Sequence, residues 1–228
     1  MKSTRRVFSL LIATCLLFAT VSSVSAETFS ASDSAPSTFE DFCNDYYLHY
    51  DMYTVYDKDG YDISSPFYSA TILWYESNNI EAIFDYSKNN VSRFKKIEYI
   101  NDAATRGAIQ SVKQTETFHG FVNNREINDY DIVYTLTGKF SYNINTGEIT
   151  SYSSPTIALT HVGISNLVSG EMASASTSAK KTSDGYGVVF SGQFNVTTTM
   201  YIPNGFASVP FKSETTGPYK ATFTAYGA

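Results

Sequence analysis

Residues 186–202 decide the fold class of this chain, and their sequence is Tyr-Gly-Val-Val-Phe-Ser-Gly-Gln-Phe-Asn-Val-Thr-Thr-Thr-Met-Tyr-Ile. Every second residue from Val188 to Ile202 falls on one largely apolar face, and the opposite face is largely polar. This period of two, with its many β-branched and aromatic residues, predicts a half-buried β-strand. We therefore expect the chain to be built around an amphipathic sheet.

A second stretch, residues 132–145, has the same alternation, and its Gly138 aligns with Gly192 at a separation of 54 residues. With the glycines aligned, Leu136 matches Phe190. Duplication explains this match, and so does chance similarity between two amphipathic strands. Glycine inside a strand usually marks a bulge or the close approach of a large ring. We expect aromatic rings to cover both glycines, so that the two faces form a core.

The rest of the C-terminal half also predicts strands. They are expected at 108–122, 148–153 and 156–162, at 171–179 as an edge strand or loop, and at 219–225, with 204–217 irregular. Pro155 should interrupt the ladder, and Ile157, Leu159 and His161 should share one face. Six or seven strands without a helical pattern between them favour an antiparallel β-sandwich.

The N-terminal half begins with one predicted helix over residues 38–50. Ser37 and Glu40 have capping-box spacing, and apolar residues then recur at steps of three and four. This stripe should pack the helix on the sheet, and it consists of Phe39, Phe42, Cys43, Tyr46, Tyr50 and Tyr53.

Three short strands are predicted next, at 69–76, 80–87 and 93–101, because Asn-rich breaks separate them as in a β-meander. Residues 102–107 are the best candidate for a boundary. The predicted fold is thus mainly β, with one helix and a short meander (38–105) before the sandwich (106–228). The two regions could also form a single domain.

The first 26 residues have the layout of a secretory signal peptide. Lys2, Arg5 and Arg6 precede the apolar run 7–21, and small residues lead to an expected cleavage after Ala26. An uncleaved membrane anchor is the alternative, but the run is shorter than the roughly 20 residues that a spanning helix needs. Residues 27–37 then predict a flexible leader, and we expect a secreted protein without a stable membrane anchor.

Charge and cysteine usage narrow the function classes. Three of the 16 basic residues lie in the signal, so 13 remain against 22 acidic residues, a formal charge of −9. This balance argues against nucleic acid or anionic membranes as partners. Only Cys43 remains after processing, so no intramolecular disulfide is expected.

One motif carries a resemblance. Tyr-Asn-Ile-Asn-Thr-Gly-Glu-Ile at 142–149, followed by the segment 151–155, resembles a turn and strand of uncharacterised secreted β-rich proteins of Gram-positive bacteria. The resemblance covers about a tenth of the chain. It implies an extracellular location and no particular activity.

Catalytic and metal-binding patterns are weak in this sequence. Cys43 follows two acidic residues and falls on the apolar stripe, so it predicts a core residue rather than a nucleophile. His49, His119 and His161 lack the short spacings of a metal site. We therefore assign no catalytic, cofactor or metal residues and expect no cofactor.

Two acidic patterns contain the residue types of a metal or catalytic site. Residues 57–60, Asp-Lys-Asp-Gly, match the middle of a calcium loop, but Val55 and Pro66 occupy its first and last ligand positions, so a turn is predicted. Asp129 and Asp131 flank a strand start in what we interpret as a solvated loop. Paired carboxylates of a glycosidase would have to face each other across a cleft, which these residues do not indicate.

Aromatic residues, 15% of the chain, are the remaining functional indication. Trp74 and Tyr75 are adjacent on a predicted strand, so one of them should face outward. We expect a secreted, non-catalytic protein that binds a protein or a glycan at the cell envelope through exposed rings. The alternatives are a membrane-active, pore-forming β-protein, suggested by the Ser/Thr-rich segment 177–202, and an enzyme whose site is assembled from distant residues.

Overall fold

The computed structural model describes residues 38–100, 108–122, 130–163, 168–204 and 207–227. Three α-helices and nine strands lie in these segments. In chain order they are α1 (Phe39–Leu48), a 3₁₀ turn (Tyr50–Met52), β1 (Tyr53–Tyr56), α2 (Ser64–Glu76), α3 (Ile80–Asn90), β2 (Arg93–Ile100), β3 (Ile109–Val122), β4 (Tyr130–Asn143), β5 (Ile149–Tyr152), β6 (Thr156–Gly163), β7 (Val168–Lys181), β8 (Gly187–Asn204) and β9 (Ala207–Tyr226).

The strands form two antiparallel sheets. Sheet A has the order β1-β2-β3-β4, and both β5 and β6 pair with the far edge of β4, where residues 153–155 separate them. Sheet B has the order β7-β8-β9. The prediction of a mainly β fold with an antiparallel sandwich is confirmed, and so are the strand assignments around Gly138 and Gly192. Sheet A takes β1 and β2 from the N-terminal half, so its ladder continues across the predicted boundary.

The core between the sheets is centred on β4 and β8. A Cβ atom added to Gly138 would lie 2.6 Å from the Phe190 ring, and one added to Gly192 would lie 3.0 Å from Leu136. Both glycines therefore face the core, as expected. A ring covers Gly138, whereas Gly192 is covered by the aliphatic side chains of Leu136 and Ile157. Since Leu136 and Phe190 occupy equivalent places in the two strands, the packing is reciprocal.

The three helices cover the other face of sheet A. Residues of α1 pack on β2, where the Phe42 and Phe94 rings lie 4.9 Å apart in an edge-to-face arrangement. The Asp45 carboxylate also accepts a hydrogen bond from Lys96 Nζ at 2.7 Å. The helix is confirmed over Phe39–Leu48, with Phe39, Phe42, Cys43 and Tyr46 of the predicted stripe buried. The last two residues of the stripe lie beyond the helix: Tyr50 is exposed in the 3₁₀ turn, and Tyr53 is buried in β1. The capping box is formed one residue later than predicted, by Thr38 and Asp41.

The predicted β-meander is wrong in its first two strands. Residues 69–76 belong to α2 and 80–87 to α3, and only 93–101 corresponds to a strand, β2. In α2 the buried residues Phe67 and Thr71 are four apart, and in α3 Ile83 and Ser87 are likewise four apart. This is helical spacing, because residues i and i+4 share one helix face.

Two further predictions need correction. In β6 the pairing skips Thr160, so that Tyr134 pairs with Leu159 while Val133 pairs with His161. This bulge turns His161 to the helical layer, away from Ile157 and Leu159. The segment 204–217 is not irregular over 207–217, because β9 runs from Ala207 to Tyr226. Pro210 has no backbone N–H to donate and would interrupt the ladder of a central strand. The edge strand β9 tolerates it.

Several predictions lie outside the described residues. They are the signal peptide 1–26, the leader 27–37, the connector 102–107 and the loop 123–129 with Asp129. The predicted edge strand at 171–179 is confirmed as part of β7.

Candidate functional site

Cys43 lies on the buried face of α1 and is 1% exposed. Burial, reinforced by the charge of Glu40, raises the pKa of its thiol to about 12. The thiol is therefore protonated at neutral pH and is a poor nucleophile. This environment supports the interpretation of Cys43 as a core residue.

The structure brings two of the three histidines together. His119 of β3 and His161 of β6 both pair with Val133 of β4, so the three residues form one cross-strand row on the helix-facing side of sheet A. His49 is elsewhere, at the end of α1, where its Nδ1 lies 3.1 Å from an Asp45 oxygen. The antiparallel register of β3 with β4 places His119 opposite Val133. The spacing of the histidines along the sequence does not reveal this register.

The two histidines are enclosed by aromatic rings. Phe84 of α3 lies 5.8 Å from the His119 ring and 4.8 Å from the His161 ring, and Phe39 of α1 contacts both. The two ring nitrogens of His119 are buried and have no hydrogen-bond partner among the residues that the structure describes. A solvent-borne substrate does not reach these nitrogens in this conformation.

Burial controls the ionisation of this pair. It lowers the pKa of His119 to about 4, the nearby Asp131 carboxylate opposes the shift, and His161 and Lys88 add to it. Burial also lowers the pKa of His161. Both rings are therefore neutral at pH 7, packed between sheet and helices.

Asp131 is not in a solvated loop, as its sequence context indicated, but in β4. Its Oδ2 accepts a hydrogen bond from Lys88 Nζ of α3 at 2.6 Å. This ion pair lies beside the histidine row and joins α3 to sheet A. Among the described residues, no group of three or more His, Cys, Asp and Glu side chains is arranged to hold a metal ion.

Residues 57–60 form the predicted turn. Asp57 Oδ1 accepts hydrogen bonds from the backbone N–H groups of Asp59 and Tyr61, and Gly60 has a positive φ of 86°. The Asp57 oxygen that a calcium loop would offer to the ion is thus used to close the turn.

Sheet B presents an open polar surface on its outer face, away from the sandwich core. A shallow depression of about 340 Å³ lies at its centre, lined by Ser176, Thr177, Ser178, Ser191, Gly192, Gln193, Lys220 and Thr222. In the strand register, Ser176–Gln193–Lys220 form one cross-strand row and Ser178–Ser191–Thr222 form the next. Thr177 and Gly192 pair with each other and face the inner side of sheet B, so they border the depression with their backbone.

An exposed tyrosine lies at one end of the same face. Tyr226 pairs with Gly187, and a Cβ atom added to Gly187 would lie 3.0 Å from the Tyr226 ring. Because Gly187 points to the same side as Ser191 and Gln193, the ring lies on the outer face. It is 62% exposed. Four residues of strand separate this row from that of Ser191, a distance of about 13 Å.

Trp74 and Tyr75 do not provide the exposed ring that the sequence predicted. Both lie on α2 and pack against the core of the helical layer. The Tyr75 ring stacks on Tyr47 with centroids 4.1 Å apart. The exposed aromatic residue on the candidate surface is Tyr226. The sequence does not single it out, because the face on which its ring lies depends on its pairing with Gly187.

No protein-family model, curated protein or solved structure matches this chain. In the described segments, no helix combines the length and the hydropathy needed to span a bilayer. The assignment of function therefore depends on the chemistry of the outer face of sheet B.

Proposed function

We propose that this protein is an exported, non-catalytic glycan-binding protein that holds its ligand along the outer face of sheet B. The observation that carries the proposal is the exposed Tyr226 ring on the same face as the hydroxyl- and amide-lined depression. Sugars offer an apolar ring face together with many hydroxyl groups. An aromatic ring beside short polar side chains matches both parts of such a ligand.

The dimensions of the surface support an oligosaccharide rather than a single sugar. About 13 Å separate the row of Tyr226 from the row of Ser191, and about 20 Å separate it from the row of Gln193. The hydroxyl groups of Ser178 and Thr222 are exposed, and Thr222 already donates to Ser191 at 3.2 Å. The polar groups of this face are therefore partly pre-oriented by the sheet.

The proposal is tested with an array of immobilised oligosaccharides, followed by calorimetric titration of each glycan that binds. Tyr226→Ala and Gln193→Ala are expected to weaken binding by about fivefold each, because ring stacking and a well-placed hydrogen bond contribute about 1 kcal/mol each. Tyr61→Ala is the matched control, since Tyr61 is an exposed ring in the turn at 57–60. Absence of binding to every glycan at millimolar concentration would refute the proposal.

One observation favours a second function, membrane activity. Ile202 and Val209 pair across the β8–β9 hairpin, and both are exposed, as is Phe211 at 66%. Exposed apolar side chains close together are suited to insertion at a lipid surface. Dye release from phosphatidylcholine vesicles tests this function, with the Ile202→Ser/Val209→Ser variant as control. Intact vesicles would exclude it.

A further inference from the structure

The β7 edge of sheet B has few of the features that keep an edge strand from pairing with another chain. Strand β7 pairs with β8 on one side and with no other described strand on the opposite side. Between Glu171 and Lys180 its eight side chains carry no charge, and only Met172 is larger than threonine. Edge strands generally use charges, prolines, bulges or coverage to prevent pairing with another chain. From Met172 to Ala179, β7 has one bulge, between Met172 and Ser174, but no charge and no proline. Among the described residues, its backbone donors and acceptors on this side are therefore available for pairing.

Both sides of this edge are accessible in the described structure. Ser174, Ser176 and Ser178 are exposed on the outer face. Ala175 and Thr177 point to the inner side and are exposed as well. A strand added beside β7 would therefore meet no side-chain obstacle from the described residues.

The charges at the two ends of the segment are placed symmetrically. Glu171 pairs with Thr197 of β8 and Lys180 pairs with Val189, while Ser176 pairs with Gln193. Thr197 and Val189 are each four residues from Gln193. A bulge between Met172 and Ser174 produces this symmetry and places Glu171 on the same outer face as Lys180.

We propose that β7 pairs antiparallel with β7 of a second copy of this chain, about a two-fold axis at Ser176. In this register, Glu171 of each copy lies opposite Lys180 of the other, and Ser174 lies opposite Ser178. Outer-face residues meet outer-face residues throughout, as directly opposed residues of a ladder must. The two copies of sheet B join into one sheet of six strands.

The association is reversible and moderate in strength. One pair of strands is a small interface, and exposed ion pairs contribute only about 0.2–1 kcal/mol each. The dimer is therefore expected to dissociate at roughly 1 to 100 µM. The Glu171 and Lys180 pairs set the register more than they set the affinity. The inference is independent of glycan binding, because it depends on the edge of sheet B rather than on its face.

Analytical ultracentrifugation of the purified protein over this concentration range tests the proposal. Lys180→Glu places four acidic side chains around the axis and is expected to weaken the dimer at least tenfold. Glu171→Lys should do the same by placing four lysines there. The double exchange Glu171→Lys/Lys180→Glu restores opposite charges and should return the dissociation constant to within about threefold of wild type. Lys58→Glu, at an exposed lysine in the turn at 57–60, is the charge-matched control.

A covalent probe locates the axis directly. Opposed Cα atoms of an antiparallel pair lie about 4.5–5.5 Å apart, within disulfide range. Ser176→Cys should therefore form a cross-linked dimer on mild oxidation. Ser191→Cys, one strand further in, should remain uncross-linked, as should wild type. A protein that is monomeric at every concentration overturns the proposal, and so does a dimer that tolerates Lys180→Glu and leaves Ser176→Cys uncross-linked.

Discussion

At the scale of single residues, the sandwich core depends on two glycines, Gly138 and Gly192, where no larger side chain fits. Gly138 and Gly192 leave the space into which Phe190 and Leu136 project from the opposite sheets. Phe190 and Leu136 are fully buried, so neither side chain can move aside without disturbing the layer around it. Each glycine is therefore required by volume, and not by a special backbone conformation.

Gly138→Ala is expected to destabilise the protein by about 1–3 kcal/mol, because the added methyl group overlaps the Phe190 ring. Urea denaturation monitored by circular dichroism measures the change. The double variant Gly138→Ala/Phe190→Leu should recover part of the loss relative to the sum of the two single variants. Strictly additive losses would show that the contact is not what limits residue 138.

His119 makes stability depend on pH. Its pKa falls from 6.5 in the unfolded chain to about 4 in the folded protein, so the unfolded chain binds more protons between these values. The stability associated with a neutral His119 is complete above pH 6.5 and is lost as the pH falls towards 4. The loss should be on the order of 1–3 kcal/mol.

Urea denaturation at pH 7 and at about pH 4.5 tests this dependence. His119→Leu should reduce the pH dependence, because the leucine has no proton to bind, and a part due to His161 should remain because burial lowers its pKa as well. His49→Gln is the control, since His49 lies at the exposed end of α1, and it should retain the slope of wild type. An unchanged slope in His119→Leu would assign the dependence to other groups.

At the scale of secondary-structure elements, the link between α2 and α3 explains the error in the predicted meander. Asn78 adopts a left-handed φ of 55° after α2, and the Asn79 side chain caps α3 by accepting the Ala82 N–H at 3.2 Å. Asparagine is favoured both in turns between strands and at helix ends. The same residues therefore predicted a break in a sheet while the chain uses them to join two helices.

Asn79→Ala should cost about 0.5–2 kcal/mol, because the N–H of Ala82 loses its partner at the start of α3. Thermal denaturation measures the loss. Asn89→Ala is the matched control in the same helix, where the side chain bonds only to the exposed Asp85 carbonyl. Equal effects of the two substitutions would contradict the capping role of Asn79.

The strands β4 and β8 could be predicted because one face of each is covered by the other sheet, which imposes a strict period of two. The bulge at Thr160 could not be predicted, since it depends on how β6 fits β4. The candidate site, too, could be predicted only in part. The polar face of 186–202 is visible in the sequence, but the proximity of Ser178 and Thr222 to Ser191 requires the register of three strands.

At the scale of the whole molecule, sheet A lies between sheet B and the layer of helices and packs against both. Ile132 and Tyr134 face sheet B, while Val133 between them faces the helical layer. Strand β4 is thus buried on both faces. Because β2 and β3 pair over eight residue pairs, the regions before and after the predicted boundary share one ladder.

A single cooperative unfolding transition is therefore expected. Trp74, the one tryptophan of the chain, reports on the helical layer by fluorescence, and hydrogen exchange of β8 amides reports on sheet B. The two probes should give the same midpoint in urea. Separate midpoints would show that the regions 38–105 and 106–228 fold independently.

The dimer proposed here would place two glycan-binding faces side by side on one continuous sheet. A polysaccharide long enough to cross the two-fold axis would then contact both copies. Binding to such a ligand would gain from the effective concentration of the second face, whereas a short oligosaccharide would not. Glu171→Lys is thus expected to weaken the binding of long glycans while leaving the binding of short ones unchanged.

The reciprocal packing of β4 and β8 also constrains how this sequence can diverge. A larger residue at 138 is tolerated only if 190 becomes smaller, and a larger residue at 192 only if both 136 and 157 make room. Substitutions at these five positions should therefore be correlated within two separate sets, 138 with 190 and 192 with 136 and 157. In any set of diverged sequences that share this fold, the two sets should covary independently of each other, while the strand-forming character of both stretches is kept.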